Sequence, residues 1–194
     1  PNGFLRWKGR YHLCFQSNPD RPLWGSPRWA HLASDDLIQW TVLPPALAPD
    51  MRPADPDGCW TGTAVIVDGR PVVHYTGVQG GEQRTCRAEP LDDDLIAWRK
   101  DPANPILRAP AGLPIHHGAY RDPYVWRLAP GDPGAERGPY RMIVGTSLND
   151  HGAALLYTSR DGELWRSLGT TAAFAGLALP AFLALSVIVA LAIE

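Results

Sequence analysis

No block of like charge marks this chain of 194 residues, and neither sign is in excess: 18 lysines and arginines face 20 aspartates and glutamates, for a formal net charge of −2. That balance removes the electrostatic case for a nucleic acid, or for an anionic membrane surface, as partner. Cysteine is scarce as well. Cys14, Cys59 and Cys86 are odd in number and their spacing matches no zinc ligand set, so neither a metal nor a cofactor is expected. A Cys59–Cys86 bridge stays open, and three thiols do not reveal the redox compartment. Cys14 sits in a strand-like run and reads as a small buried hydrophobe. An initiating Met and a signal peptide are both missing, and Pro1 opens the chain, which points to a segment of something longer or to trimming.

Turn formers are plentiful, with 20 prolines and 19 glycines, and so is tryptophan, at 8. The length suits one domain with a real core. Frequent Gly and Pro favour short strands and tight turns over long helices. The indole rings either fill the core or stack on flat ligands such as sugars.

Three segments repeat one order of features, with a period of roughly 60–70 residues. A strand-like run leads to a tight Gly turn (Gly9, Gly69, Gly138), a second strand and a third. An Asp-containing turn then precedes a Trp (Trp40, Trp98, Trp165) that opens a fourth. The turns are Ser34-Asp35-Asp36, Asp92-Asp93-Asp94 and Ser159-Arg160-Asp161-Gly162. Four antiparallel strands per repeat is the pattern of a β-propeller blade, and a propeller closes with about 4–8 blades. The expected fold class is all-β, with about three blades present. The stretch 43–56 reads as a loop between blades, 130–139 as a hairpin insertion, and His116-His117 as loop. His31 and His74 read as core or pocket-lining, and Asp92-Asp93-Asp94 as a solvated turn.

Motifs within the repeats carry a family resemblance. Pro1-Asn2-Gly3, Tyr11-His12-Leu13-Cys14-Phe15-Gln16-Ser17-Asn18-Pro19, Trp24-Gly25, Trp29-Ala30-His31, Asp36-Leu37-Ile38-Gln39-Trp40, Trp60-Thr61-Gly62-Thr63, Tyr75-Thr76-Gly77 and Arg121-Asp122-Pro123 occur in one order. From Pro1 to about Leu168 the chain resembles glycoside hydrolase family 32, the invertase, fructanase and sucrose-phosphate hydrolase group. The resemblance implies a five-bladed propeller and retaining hydrolysis of a β-fructofuranosidic bond, with sucrose or a fructo-oligosaccharide as partner. It assigns Asp122 to steadying the charge that develops on the sugar ring. Asn2, Gln16 and Trp24 match positions that contact the fructosyl unit, and Trp60 and Thr61 match the pocket wall. An Arg next to an Asp can hold that carboxylate ionised, which gives Arg121 its part, and Pro123 is expected to start the next strand.

Departures from the pattern bear on activity. The family's nucleophilic Asp falls before the position of Pro1, and no Trp-Glu-Cys stretch here supplies the acid/base. Glu163 lies in a repeat turn. The chain as it stands is therefore expected to be inactive. Residues 1–168 are assigned to a partial propeller and 169–194 to an apolar tail. The uncharged run 172–193 is long enough to be a candidate membrane-spanning helix, which takes about 20 apolar residues. A gene-model artefact and an apolar helix packed on the propeller edge are the competing readings. Two alternative functions stay open: a membrane-attached, sugar-binding remnant without catalysis, and a fructosyltransferase.

Overall fold

The computed structural model describes residues 1–167 apart from 21, 23, 24, 52, 53, 150 and 163–165. The chain forms three antiparallel four-stranded sheets, each with its strands in sequence order. The first holds β1 (Asn2–Trp7), β2 (Arg10–Ser17), β3 (Arg28–Ser34) and β4 (Thr41–Leu47). The second holds β5 (Gly58–Val67), β6 (Arg70–Gln79), β7 (Glu82–Pro90) and β8 (Trp98–Lys100). The third holds β9 (Ile115–Arg127), β10 (Tyr140–Leu148), β11 (His151–Ser159) and β12 (Arg166–Ser167). These are the three expected blades. The apolar run 172–193 lies outside the described residues, among which no helix is long and apolar enough to cross a membrane.

Local chemistry accounts for the repeat. Lys8-Gly9 and Asp68-Gly69 connect β1 to β2 and β5 to β6, and all four residues have positive φ. That geometry suits two-residue hairpins, whose twist matches the strands they join. In the third blade a longer connection with a 3-10 turn (Ala135–Arg137) takes this place. It is tied down by buried Arg141, which donates to the carbonyls of Gly134, Gly138 and Tyr140 and, at 2.7 Å, to Thr158 Oγ1. The Asp turns are also built alike. Asp36 Oδ1 accepts from the amides of Ile38 and Gln39, and the Asp92 carboxylate from those of Asp94, Ile96 and Ala97. These donors hold both carboxyls below the ordinary aspartate range. Trp40 and Trp98 then close their turns with indole N–H bonds to the carbonyls of Leu37 and Leu95.

The first strand of each blade lies innermost, with β5 packed against β1 on one side and β9 on the other. The core between the first two blades centres on Trp29 and Tyr75, in edge-on contact at 6.2 Å, with Cys14, Leu47, Cys59 and Cys86 around them. The next core joins Tyr120, Val125, Met142, Val144, Leu155 and Tyr157. All three cysteines are buried and free, so the Cys59–Cys86 bridge is not formed. Other expectations are corrected. Leu43 to Leu47 belong to β4, and His116-His117 to β9. Arg121-Asp122-Pro123 lies inside β9 and does not open a strand, because β10 pairs with residues on both sides of it.

Two sets of buried polar groups stand out. Asp55, fully buried, accepts from Lys100 Nζ at 2.6 Å and from the Tyr75 hydroxyl at 2.6 Å. Lys100 also donates to the carbonyl of Ala48 at 2.6 Å. Removing one partner of such a pair strands a charge in the core. Asp55→Ala is therefore expected to lose about 3–5 kcal/mol of stability in urea denaturation. The joint replacement Asp55→Leu with Lys100→Met should recover most of that loss.

The second set is histidine. His12 Nδ1 and His31 Nε2 share a hydrogen bond at 3.0 Å. Burial, then His12 and Arg10, drives His31 down to about 4, and burial drives His74 down to about 3; His12 is lowered as well. Each is more readily protonated when unfolded, so stability is fully present above about 6.5 and lost as pH falls through the folded values. The melting temperature should drop steadily from pH 6.5 to pH 4. A flat profile over that range would contradict this assignment.

Candidate active site

The backbone of each innermost strand breaks register, β1 and β5 once each and β9 twice, the second time between Ile115 and Tyr120. Gly3 and Phe4 of β1 lie opposite Leu13 alone, Trp60 and Thr61 of β5 opposite Thr76 alone, and Asp122 and Pro123 of β9 opposite Val144 alone. Two residues against one is a β-bulge, which bends the strand and re-aims its side chains. The three bulges fall in the Pro1-Asn2-Gly3, Trp60-Thr61-Gly62 and Arg121-Asp122-Pro123 motifs. Gly62 shows how close the approach becomes: a Cβ there would stand 2.0 Å from the His74 carbonyl oxygen, closer than any side chain tolerates.

A chain of hydrogen bonds runs from Gln16 of the first blade to the bulges of the second and third. Gln16 Nε2 donates to Thr61 Oγ1 at 2.6 Å. The Thr61 carbonyl accepts from the Thr76 hydroxyl at 3.1 Å, and Thr76 Oγ1 accepts from the Asp122 amide at 2.8 Å. Thr63 acts beside it, accepting from the Val125 amide at 2.9 Å and donating to the Pro123 carbonyl at 3.2 Å. Sequence reasoning quoted Thr63 and Thr76 within motifs but gave neither a site role. The available signal for Thr76 was a hydroxyl amino acid directly after the strand-like run Val72-Val73-His74-Tyr75, since a hydroxyl buried there must find a partner.

Asp122 borders two hollows. One, of about 480 Å3, is lined by Pro1, Phe4, Thr61, Asp122 and Tyr124 among others. The other, of about 840 Å3, is bordered by Arg121, Asp122, Thr146, Ser147 and His151. Asn2, between Pro1 and Gly3, is buried, and its Nδ2 has no hydrogen-bond partner among the described residues. The Trp60 carbonyl accepts from the Trp29 indole at 2.8 Å. Trp24 lies outside the described residues. Gln16, Thr61 and Asp122 are thus brought together through Thr76, with Arg121 adjacent.

Arg121 does less than expected. Its Nε is 3.7 Å from Asp122 Oδ2, and the two side chains are 52% and 49% exposed, so water screens the pair. Burial pushes the Asp122 carboxyl above the ordinary aspartate value, and Arg121 pulls it back only in part. Among the described residues no three His, Cys, Asp or Glu side chains gather in a way that would hold a metal ion.

Comparison with known proteins agrees with this geometry. A sequence profile described as "Glycosyl hydrolases family 32 N-terminal domain" matches residues 1–176. The insoluble β-fructofuranosidase isoenzyme CWINV1 of Arabidopsis thaliana is 39% identical over 170 residues, which cover 85% of this chain and 28% of that protein. Fructan 1-exohydrolase of Aegilops tauschii is 38% identical over 173 residues, covering 85% of this chain and 27% of the relative. Among solved structures, fructan 1-exohydrolase IIa from Cichorium intybus superposes with a TM-score of 0.77 at 33% identity, over 88% of this chain and 31% of that one. A variant of that enzyme solved in complex with 1-kestose gives the same TM-score at 34% identity, over 87% of this chain and 31% of the other. The chain therefore spans less than a third of the length of these relatives. With its blades, its bulged inner strands and its match over residues 1–176, the chain belongs to glycosyl hydrolase family 32, within the N-terminal domain.

Proposed function

We propose that this chain supplies one part of the active site of a retaining β-fructofuranosidase, acting on sucrose or short fructans. The supporting observation is the placement of Asp122. It is held on a bulge beside Thr61, it borders the hollow that Pro1 also lines, and burial has partly stripped its carboxylate of water. Breaking a fructosidic bond builds positive charge on the ring carbon and oxygen. A carboxylate held in place and half shielded from water stabilises that charge more than the same group would in bulk solvent. The amide of Asn2, whose Nδ2 has no hydrogen-bond partner among the described residues, and the amide of Gln16 are groups that can donate to and accept from sugar hydroxyls. Thr61 lines the hollow, Trp60 and Trp24 are assigned to the same pocket by their motifs, and Arg121 stands beside Asp122 at 3.7 Å.

Double displacement also needs a nucleophile and an acid/base. In the family pattern the nucleophile precedes the position of Pro1 and the acid/base lies in a Trp-Glu-Cys stretch that nothing in these residues matches, so turnover is assayed in a gene product that carries both.

Fructose release from sucrose and from 1-kestose tests the reading. Asp122→Asn keeps the size and shape of the side chain but removes the charge and turns one acceptor oxygen into a donor, and should lower kcat about 10²–10³-fold. Because burial disfavours the charged form, the same variant should melt no lower than the parent at pH 7. Below the ordinary aspartate value of 3.8 any gain in melting temperature should vanish, since both forms are then neutral. Full activity in Asp122→Asn would rule out the proposed role.

A further inference from the structure

Asp122 holds a backbone conformation that its own segment does not favour. Its φ is 61°, in the left-handed region, and the residue after it is proline. A side chain disfavours that region, and a following proline biases the preceding residue toward extended backbone. Such a conformation persists only where the surroundings over-determine it. The ladder of its own sheet does not do so, because Asp122 and Pro123 share the single position opposite Val144. The support comes from the second blade.

We infer that Thr76 is a positioning residue for Asp122. This rests on the role proposed for Asp122 and extends it to a residue that never meets the substrate. Thr76 is wholly buried, so its hydroxyl has no access to a ligand. It is the residue opposite the β5 bulge, and its one hydroxyl serves both bulges: it donates to the carbonyl of Thr61 and accepts from the amide of Asp122. At the corresponding positions of the other blades stand Leu13 and Val144, which have no hydroxyl. Thr76 therefore sets where the Asp122 carboxylate sits relative to the Thr61 wall. Thr63 holds the far side of the same bulge through Pro123 and Val125.

The test compares Thr76→Val, which keeps the shape and removes the hydroxyl, with Thr76→Ser, which keeps the hydroxyl, in the complete gene product hydrolysing sucrose. Thr76→Val should lower kcat by about 10–100-fold with KM within about twofold, the scale expected of a displaced catalytic group. Thr76→Ser should restore most of the rate. In an Asp122→Asn background, Thr76→Val should cost nothing further. A loss that is the same with and without the Asp122 carboxylate, or no loss at all in Thr76→Val while Asp122→Asn is crippled, overturns the inference and leaves the proposed function standing. If Asp122→Asn is itself fully active, the proposed function falls first. Hydrogen exchange at the Asp122 amide of the unaltered protein provides a check that needs no variant to fold. Strong protection is expected, and exchange as fast as that of an exposed loop amide overturns the inference.

Discussion

Two residues set against one leave backbone groups that a sheet cannot pair within itself. The first strand of every blade meets that problem, and a buried amide or carbonyl without a partner is costly. The solution lies between blades. Thr63 and Thr76, both on the second blade, pair the amides of Asp122 and Val125 and the carbonyl of Pro123 on the third. Gln16 of the first blade pairs with Thr61 of the second. Packing of blade on blade and shaping of the site are thus the same set of contacts. A bulge is stable only when its neighbour is in place, and the residues that face the hollow are aimed by bulges.

Two aspartates show how differently this fold treats a carboxylate. Asp55 is fully buried yet surrounded by Lys100, the Tyr75 hydroxyl and the Cys59 thiol, so its charge is matched at short range and it pins the segment before β5 onto β8. Asp122 is only half buried, Arg121 is 3.7 Å away and half exposed, and burial raises the pKa of its carboxyl. The first arrangement spends a charge on holding structure. The second leaves a charge without a matched partner at the edge of a hollow, which is where an electron-poor sugar ring would profit from it.

The repeat was readable because each of its marks has a local cause. Lys8-Gly9 and Asp68-Gly69 accept positive φ, Asp36 and Asp92 cap their turns through their own side chains, and Trp40 and Trp98 close them. Those interactions span a handful of residues and leave their signature in composition. The site was readable only as residue identities. Asn2, Gln16, Thr61 and Asp122 stand out by motif, but their geometry depends on contacts between residues as far apart as Thr76 and Asp122. No local pattern encodes a register shift, so Arg121-Asp122-Pro123 looked like the start of a strand and His116-His117 like a loop. The strength assigned to Arg121 failed for a related reason. Adjacency in sequence does not fix the distance or the exposure of two side chains.

A division of labour follows from this layout. The outer turns draw on interactions of their own and can form blade by blade. The third blade carries its least favourable backbone at the residue of greatest chemical interest, Asp122, with φ of 61° before a proline. That conformation is not maintained by its own blade alone, since Thr76 of the second blade accepts from its amide. The geometry of the site therefore depends on the docking of neighbouring blades: a substitution that loosens the contact between the second and third blades removes partners of Asp122, Pro123 and Val125 that their own sheet does not supply.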